Sequence, residues 1–238
     1  MRRVTILIFV AALAGCESNP AMEQWLGLGT QVARDMGYGD QAELVSGVKQ
    51  TLDIASERSA ALLSSDGGYA RAGYPITLPA SVQPVAGTLR KVGLGAYVDR
   101  VEVAMRDGAQ AAAAEAVPVF RQTIQGMSVT DALGIIRGGE HAATDYFRAQ
   151  TESTLRARYQ PIIQANLEKT GFYDQYRAML KVYASIPLTE KPNLDLEQVV
   201  LDQALEGLFG RMAVEEARIR QDPVGTGSAL LGKVFTKS

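Results

Sequence analysis

The densest set of side chains able to do chemistry lies between Arg137 and Arg148, around His141, the chain's sole histidine. On a helix, His141 and Asp145 stand four residues apart and face one side, where an imidazole and a carboxylate can share a divalent ion. Glu140 lies about 100° further round and reaches that ion only from the rim. A metal would need a third or fourth ligand from elsewhere, and the chain has neither a second histidine nor an HExxH motif. No metal is therefore expected, and the acids read more simply as partners of a helix N-terminal dipole. Next along, Asp145-Tyr146-Phe147-Arg148 sets an acid and a guanidinium beside two rings. Arg148 can grip a carboxylate or phosphate in bidentate fashion, or pair with Glu152 one turn on, which the spacing favours.

A second polar group, Arg218, Arg220 and Asp222, ends the last long helix. Arginines there complement the negative end of the dipole, and Asp222-Pro223 is a stop signal. Alternatively Arg220 and Asp222 fold back on the 140–148 segment and form one pocket with it. The candidate binding patch is thus Glu140, His141, Asp145, Tyr146, Arg148, Arg220 and Asp222, with no catalytic residue assigned. Nucleophilic chemistry is poorly served: there is no Gly-x-Ser-x-Gly elbow, and Ser64, Ser65 and Ser128 read as loop or cap residues. Any Ser-His-acid triad would have to use His141. Neither a Walker pattern nor a dinucleotide glycine fingerprint is present, so no cofactor is expected.

The N-terminus says where such a patch would work. Arg2 and Arg3 precede an uncharged apolar run, Val4–Leu13, followed by Leu13-Ala14-Gly15-Cys16. Ten or so apolar residues are too few to span a core about 30 Å thick as a helix, so the run reads as an export signal. Leu-Ala-Gly-Cys resembles the lipobox of bacterial lipoproteins. That resemblance implies removal of residues 1–15 and lipidation of Cys16, whose acyl chains, palmitate among them, anchor the mature protein in a membrane. Glu17 differs from the Asp that retains enterobacterial lipoproteins in the inner membrane, which points to the outer membrane facing the periplasm. Cys16 is the sole cysteine, so the mature domain has no disulfide and depends on its apolar core.

Composition narrows the partners. Without Arg2 and Arg3 the balance is 22 basic against 26 acidic residues, and aromatics make up 7%. A mildly acidic chain with no basic run is a poor nucleic-acid binder, because phosphate affinity needs clustered Lys and Arg and base stacking needs rings. The partners expected are the membrane, through the lipid, and an envelope protein or small ligand.

The elements that must position the patch read as helices. Residues 16–24 form a short tether, with Ser-Asn-Pro favouring a turn, and Trp25–Met36 a short helix. A stronger helix covers Asp40–Leu63, with Val48, Leu52 and Ala55 on one face and an Asp40–Glu43 cap. Ser64–Ala80, rich in Gly and Pro, reads as an ordered loop whose Ile76-Thr77-Leu78 is extended before Pro79. Helices follow over 81–92 and Gly95–Met127, the second kinked or divided at Pro118, with Ala111–Ala114 allowing close helix approach. Ser128-Val-Thr-Asp131 is a capping box, and Gly138-Gly139 ends its helix. Long helices then cover 140–169, with a kink at Pro161, and 172–183. Leu188–Asn193 is a loop, and Asp195 with Gln198 caps the last long helix. There, Leu201, Leu205, Leu208 and Met212 form the stripe, and Asp202, Glu206, Glu216 and Arg218 lie off its centre. A short helix over Ser228–Phe235 closes the chain. Nothing reads as paired strands, and the fold class expected is all-α, a single multi-helix domain over 25–238.

Several phrases together resemble a bacterial family. They are Ile76-Thr-Leu-Pro79, Leu89-Arg-Lys-Val-Gly-Leu-Gly95, Asp131-Ala-Leu133, Gly138-Gly139 leading into Ala142-Ala-Thr-Asp-Tyr-Phe-Arg148, Asp195-Leu196, Ala204-Leu-Glu-Gly-Leu-Phe209 and Glu215-Glu-Ala-Arg-Ile-Arg-Gln-Asp-Pro223. The chain is similar over Leu44–Phe235 to the domain-of-unknown-function family numbered 4197. The resemblance implies a helical domain in the envelope and carries no activity. It also implies two acids after the paired glycines, where this chain has Glu140-His141. The function expected is a lipid-anchored, non-enzymatic domain that binds a ligand or a protein. The alternatives are an enzyme, such as a hydrolase, built on residues 137–148, or a structural spacer at the membrane surface.

Overall fold

The computed structural model describes residues 41–169, 171–184 and 195–222. Cys16 and its signal, the tether, the helix expected at Trp25–Met36, the Asp40–Glu43 cap, the 188–193 loop and the helix expected over 228–235 lie outside the described residues or side chains. Within them the chain forms α1 (Gln41–Leu63), α2 (Gly68–Arg71), α3 (Gln83–Lys91), α4 (Gly95–Ala113), α5 (Ala116–Gly126), α6 (Val129–Arg137), α7 (Ala142–Lys169), α8 (Phe172–Ala184) and α9 (Leu196–Gln221), with no strand among the described residues. They share one continuous core and make a single multi-helix domain.

Local chemistry explains most boundaries. Ser128 and Asp131 form the expected reciprocal box: the Ser128 N–H donates to Asp131 Oδ2 at 2.9 Å, and the Asp131 N–H donates to Ser128 Oγ at 3.2 Å. The Gln198 N–H donates to Asp195 Oδ1 at 3.1 Å and starts α9. Gly93, at φ 82°, turns the chain from α3 into α4. The Gly95–Met127 stretch is divided, but at Ala114-Glu115 rather than at Pro118. Pro118 instead sits in the first turn of α5, where its missing N–H had no partner to lose. Pro161 lies inside α7, which continues to Lys169.

The Ser64–Ala80 segment is more structured than a loop. It contains α2, whose Tyr69 is buried. It also contains the extended Ile76-Thr77-Leu78, which buries Ile76 and Leu78 and exposes Thr77, as alternation along an extended chain requires. Gln203 of α9 holds that segment as a neighbouring strand would. Its Oε1 accepts from the Thr77 N–H at 2.9 Å, and its Nε2 donates to the Thr77 carbonyl at 3.0 Å.

Helix α9 packs against α1, α4 and α7. The four stripe residues Leu201, Leu205, Leu208 and Met212 are all buried, and so are Val200, Ala204, Phe209 and Ile219 on flanking faces. A helix apolar over so much of its circumference belongs in the middle of a core. Phe120, Phe147 and Phe209, from α5, α7 and α9, pack edge to face with centroids 5.0 and 6.3 Å apart. Helices α4 and α7 approach closely at Gly108, where an added Cβ would stand 3.7 Å from Ile163. Of the alanine run expected to allow such approach, Ala112 and Ala113 are buried while Ala111 and Ala114 face out.

Tyr159 of α7 carries a buried hydroxyl with no hydrogen-bond partner among the described residues. Burial, and then the neighbouring Tyr69 and Glu115, hold its pKa well above the ordinary phenol value. Leaving such a group unbonded costs stability. Tyr159→Phe is therefore expected to keep the melting temperature or raise it. Thermal unfolding checks this: a fall of more than about 4 °C, about 1–2 kcal/mol in a domain this size, would show that the hydroxyl is bonded.

Candidate functional site

The connection between α6 and α7 is four residues long, Gly138 to His141. It must be tight: a Cβ on Gly138 would lie 2.3 Å from Ala142 Cβ and 2.8 Å from the Gly134 carbonyl. Its geometry is fixed from α9. The Glu216 carboxylate enters the N-terminus of α7, where Oε1 accepts from the Ala143 N–H at 2.9 Å and Oε2 accepts from the Thr144 N–H and hydroxyl, both at 2.8 Å. The open N–H groups of a helix start are thereby satisfied by an anion on the side the dipole favours. Arg220, one turn on, donates through Nε and Nη2 to Glu216 Oε1 at 3.1 and 2.8 Å. The same Nη2 donates to the Ile135 carbonyl at 2.9 Å, near the end of α6. One buried ion pair therefore holds the end of α6, the start of α7 and the last turns of α9 together.

This answers the question of whether α9 folds back on the 140–148 segment. Arg220 does, through Glu216, while Asp222 is exposed and its N–H closes α9 on the Arg218 carbonyl at 3.0 Å. The pair borders a small cavity of about 20 Å³ among α1, α6, α7 and α9, lined by Thr51, Ile135, Thr144, Met212, Glu216 and Arg220 among others. That is room for about one water molecule and too small for a substrate.

Other residues of the predicted patch point elsewhere. His141 and Asp145 are both exposed, and the bond between them is a backbone one, Asp145 N–H to His141 carbonyl at 2.9 Å. No group of three potential metal ligands occurs among the described residues. Glu140 is exposed. Tyr146 is half-buried against the core; burial first, then the charge and hydrogen bond of Asp131, raise its pKa. Arg148 does not take Glu152. Its Nη2 lies 3.1 Å from Glu206 Oε2, and its guanidinium sits 4.6 Å above the Phe209 ring. Glu152 pairs with Arg156 instead, at 3.0 Å, and Arg156 also reaches Asp202 at 2.6 Å. Helix α9 supplies two carboxylates to this face of α7, so contacts between helices outcompete the pair within one helix.

His141 does border an open groove. It runs along the outer side of α9 with a volume of about 540 Å³, lined by Tyr74, His141, Gly210, Val214, Ala217 and Gln221 among others. Its floor is low because Gly210 lies under the Tyr74 ring, where a Cβ would meet ring atoms at 2.3 Å. Val214, 46% exposed, stands in its wall.

Sequence reading missed Glu216 as the pivot of this region, having set it off the apolar stripe. A signal was available: continuing 205, 208, 212 by four residues lands on 216, and Glu216 and Arg220 are one turn apart. Glu215 was missed too. It is 1% exposed, with Arg211, Arg218 and Arg58 around it.

No described helix is long and apolar enough to cross a membrane. A family model described as "Protein of unknown function (DUF4197)" matches residues 39–236. No curated protein and no solved structure matches the chain.

Proposed function

The chain belongs to the family of proteins of unknown function DUF4197, and on that premise we propose that it is a lipid-anchored bacterial envelope protein, held through Cys16, whose helical domain binds a partner or small ligand and does no catalysis. The observation that carries the anchor is the Leu13-Ala14-Gly15-Cys16 run after an uncharged apolar segment. Cys16→Ser is expected to abolish palmitate incorporation and to release the protein from the membrane fraction. Persistent labelling of that variant sinks the anchor. The outer membrane facing the periplasm is the proposed location.

A binding role is favoured by where the polar groups go. Glu216 and Arg220 join three helix ends, and Arg148 ties α7 to α9. Ion pairs committed to packing are poor catalytic groups, because moving them would loosen the fold. His141 borders the open groove instead, and that surface is the proposed point of contact. The test is a thermal-shift screen of residues 22–238 against envelope fragments, lipids, small anions and divalent metals. A ligand at 100 times its Kd adds about 2.7 kcal/mol of stability, which shifts a domain of this size by about 5–10 °C. The shift should vanish in His141→Ala and survive in Arg148→Ala. A shift that both variants retain moves the site away from the groove.

A further inference from the structure

The open groove along α9 holds a fixed cation and several donors but no acid. Arg218 brings a guanidinium, His141 an imidazole, Tyr74 a hydroxyl and Gln221 an amide, and no carboxylate lines it among the described residues. Ala213, Val214 and Ala217 supply apolar surface between these groups. We propose that the groove takes a small organic anion, a phosphate or carboxylate carried on an apolar body, and that Arg218 grips its charge. This rests on the reading of the groove as the contact surface and names the class of ligand that surface takes.

Three observations carry this. The first is the anchor behind Arg218. Glu215 is 1% exposed, and Arg218 Nη1 lies 3.4 Å from its Oε1. Arg211 donates to the same oxygen from closer in, and Arg58 Nη1 stands 4.0 Å from Oε2. One carboxylate carries one unit of charge, so Arg211 and Arg218 alone outweigh it. The nearer Arg211 takes the larger share of it, and Arg218, its side chain 63% exposed, keeps a positive field for the groove. The second is geometry. Arg218 is held through a single long contact, and a planar fork with five N–H groups can keep that contact and still meet an oxyanion in bidentate fashion. The exposed acids nearest in sequence, Glu140, Asp145 and Asp222, stand outside the lining. The third is size and surface. The groove volume of about 540 Å³ falls among small-molecule sites, which span about 300–1,000 Å³. A bare inorganic ion would leave Val214 and the two alanines uncovered, whereas an apolar body covers them.

The test is isothermal titration calorimetry of the full chain carrying Cys16→Ser with four probes: phenyl phosphate, inorganic phosphate, phenyltrimethylammonium and benzyl alcohol. Phenyl phosphate should bind at least about ten times more tightly than each of the others, as a charge-assisted contact in a matched apolar seat requires. Arg218→Gln should weaken it at least about tenfold. Arg177→Gln, which removes the same charge from the exposed face of α8, should leave it unchanged. Arg218→Lys keeps the charge but not the fork, and should lie between Arg218→Gln and the parent; with its melting temperature unchanged, it gives the same reading if Arg218→Gln folds poorly. Equal or tighter binding of phenyltrimethylammonium or benzyl alcohol, lost in His141→Ala, overturns the anion class and leaves the groove as the contact surface. Phenyl phosphate binding that survives Arg218→Gln, or no heat at millimolar phenyl phosphate, overturns the proposal, and the wider screen with His141→Ala then decides the groove by itself.

Discussion

Glu216→Ala is expected to lower the melting temperature by about 6–20 °C, from a loss of about 3–5 kcal/mol. Glu216 is 6% exposed, and its two oxygens satisfy two backbone N–H groups and a hydroxyl at the start of α7. Alanine leaves those donors open in a site with little water, and leaves the Arg220 charge without the carboxylate it sits against. Glu216→Gln should cost less, because one oxygen still accepts while the ion pair is lost. Arg220→Ala should also cost less, because the helix start still stabilises the carboxylate. The double variant should fall short of the sum, since both changes break one network. Thermal unfolding of the four variants checks this. Equal stability of Glu216→Ala and the parent would mean that the helix ends are held by something else.

The second large effect concerns neighbouring glycines that matter for different reasons. An added Cβ at Gly68 would sit 1.9 Å from the Leu62 carbonyl oxygen and 2.9 Å from that of Leu63. Both obstacles are backbone at the end of α1, so no side-chain rotation relieves the clash. Gly68→Ala is expected to cost about 3 kcal/mol, the upper part of the overpacking range, and so about 6–12 °C. At Gly67 a Cβ meets nothing within 4 Å, but φ is +62°. Gly67→Ala should cost only the left-handed penalty, about 1–2 kcal/mol, and Gly67→Asn less, since Asn visits that region more readily. Equal losses at the two positions would contradict the crowding assigned to Gly68. The effect matters beyond α2, because that turn delivers Tyr69 to the core, where its hydroxyl donates to the Ala204 carbonyl at 3.3 Å.

These sites mark how far the sequence could be read. Features that depend on neighbours in the chain were legible: the Ser128–Asp131 box, the Asp195 cap, the extended Ile76–Leu78 before proline and the periodic stripe of α9, whose Leu201, Leu205, Leu208 and Met212 are all buried. Features decided by a partner far along the chain were not. Arg148 and Glu152 have the spacing of a pair, but Glu206 and Asp202 arrive from α9 and redistribute the charges. Glu216 reads as lying off the stripe, and a carboxylate in a core is expensive unless paired. The start of α7 and Arg220 meet that condition, and both appear only once the helices are packed. Gln203 carries no hint of its role, because an amide that pairs with an extended segment looks like any surface amide until that segment is in place.

The position of α9 in the chain sets an order of events. The ribosome delivers the protein from its N-terminus, so α1, α4 and α7 all emerge before the helix that fills the space between them. Until residues 196–221 arrive, the faces that will meet α9 have only water or one another to contact, and the Ala143 and Thr144 N–H groups lack the Glu216 carboxylate. The contacts made last join residues as far apart in the chain as Arg58 and Glu215, the kind of closure that slows folding. The core locks only when residues 196–221 are in place among the helices that precede them.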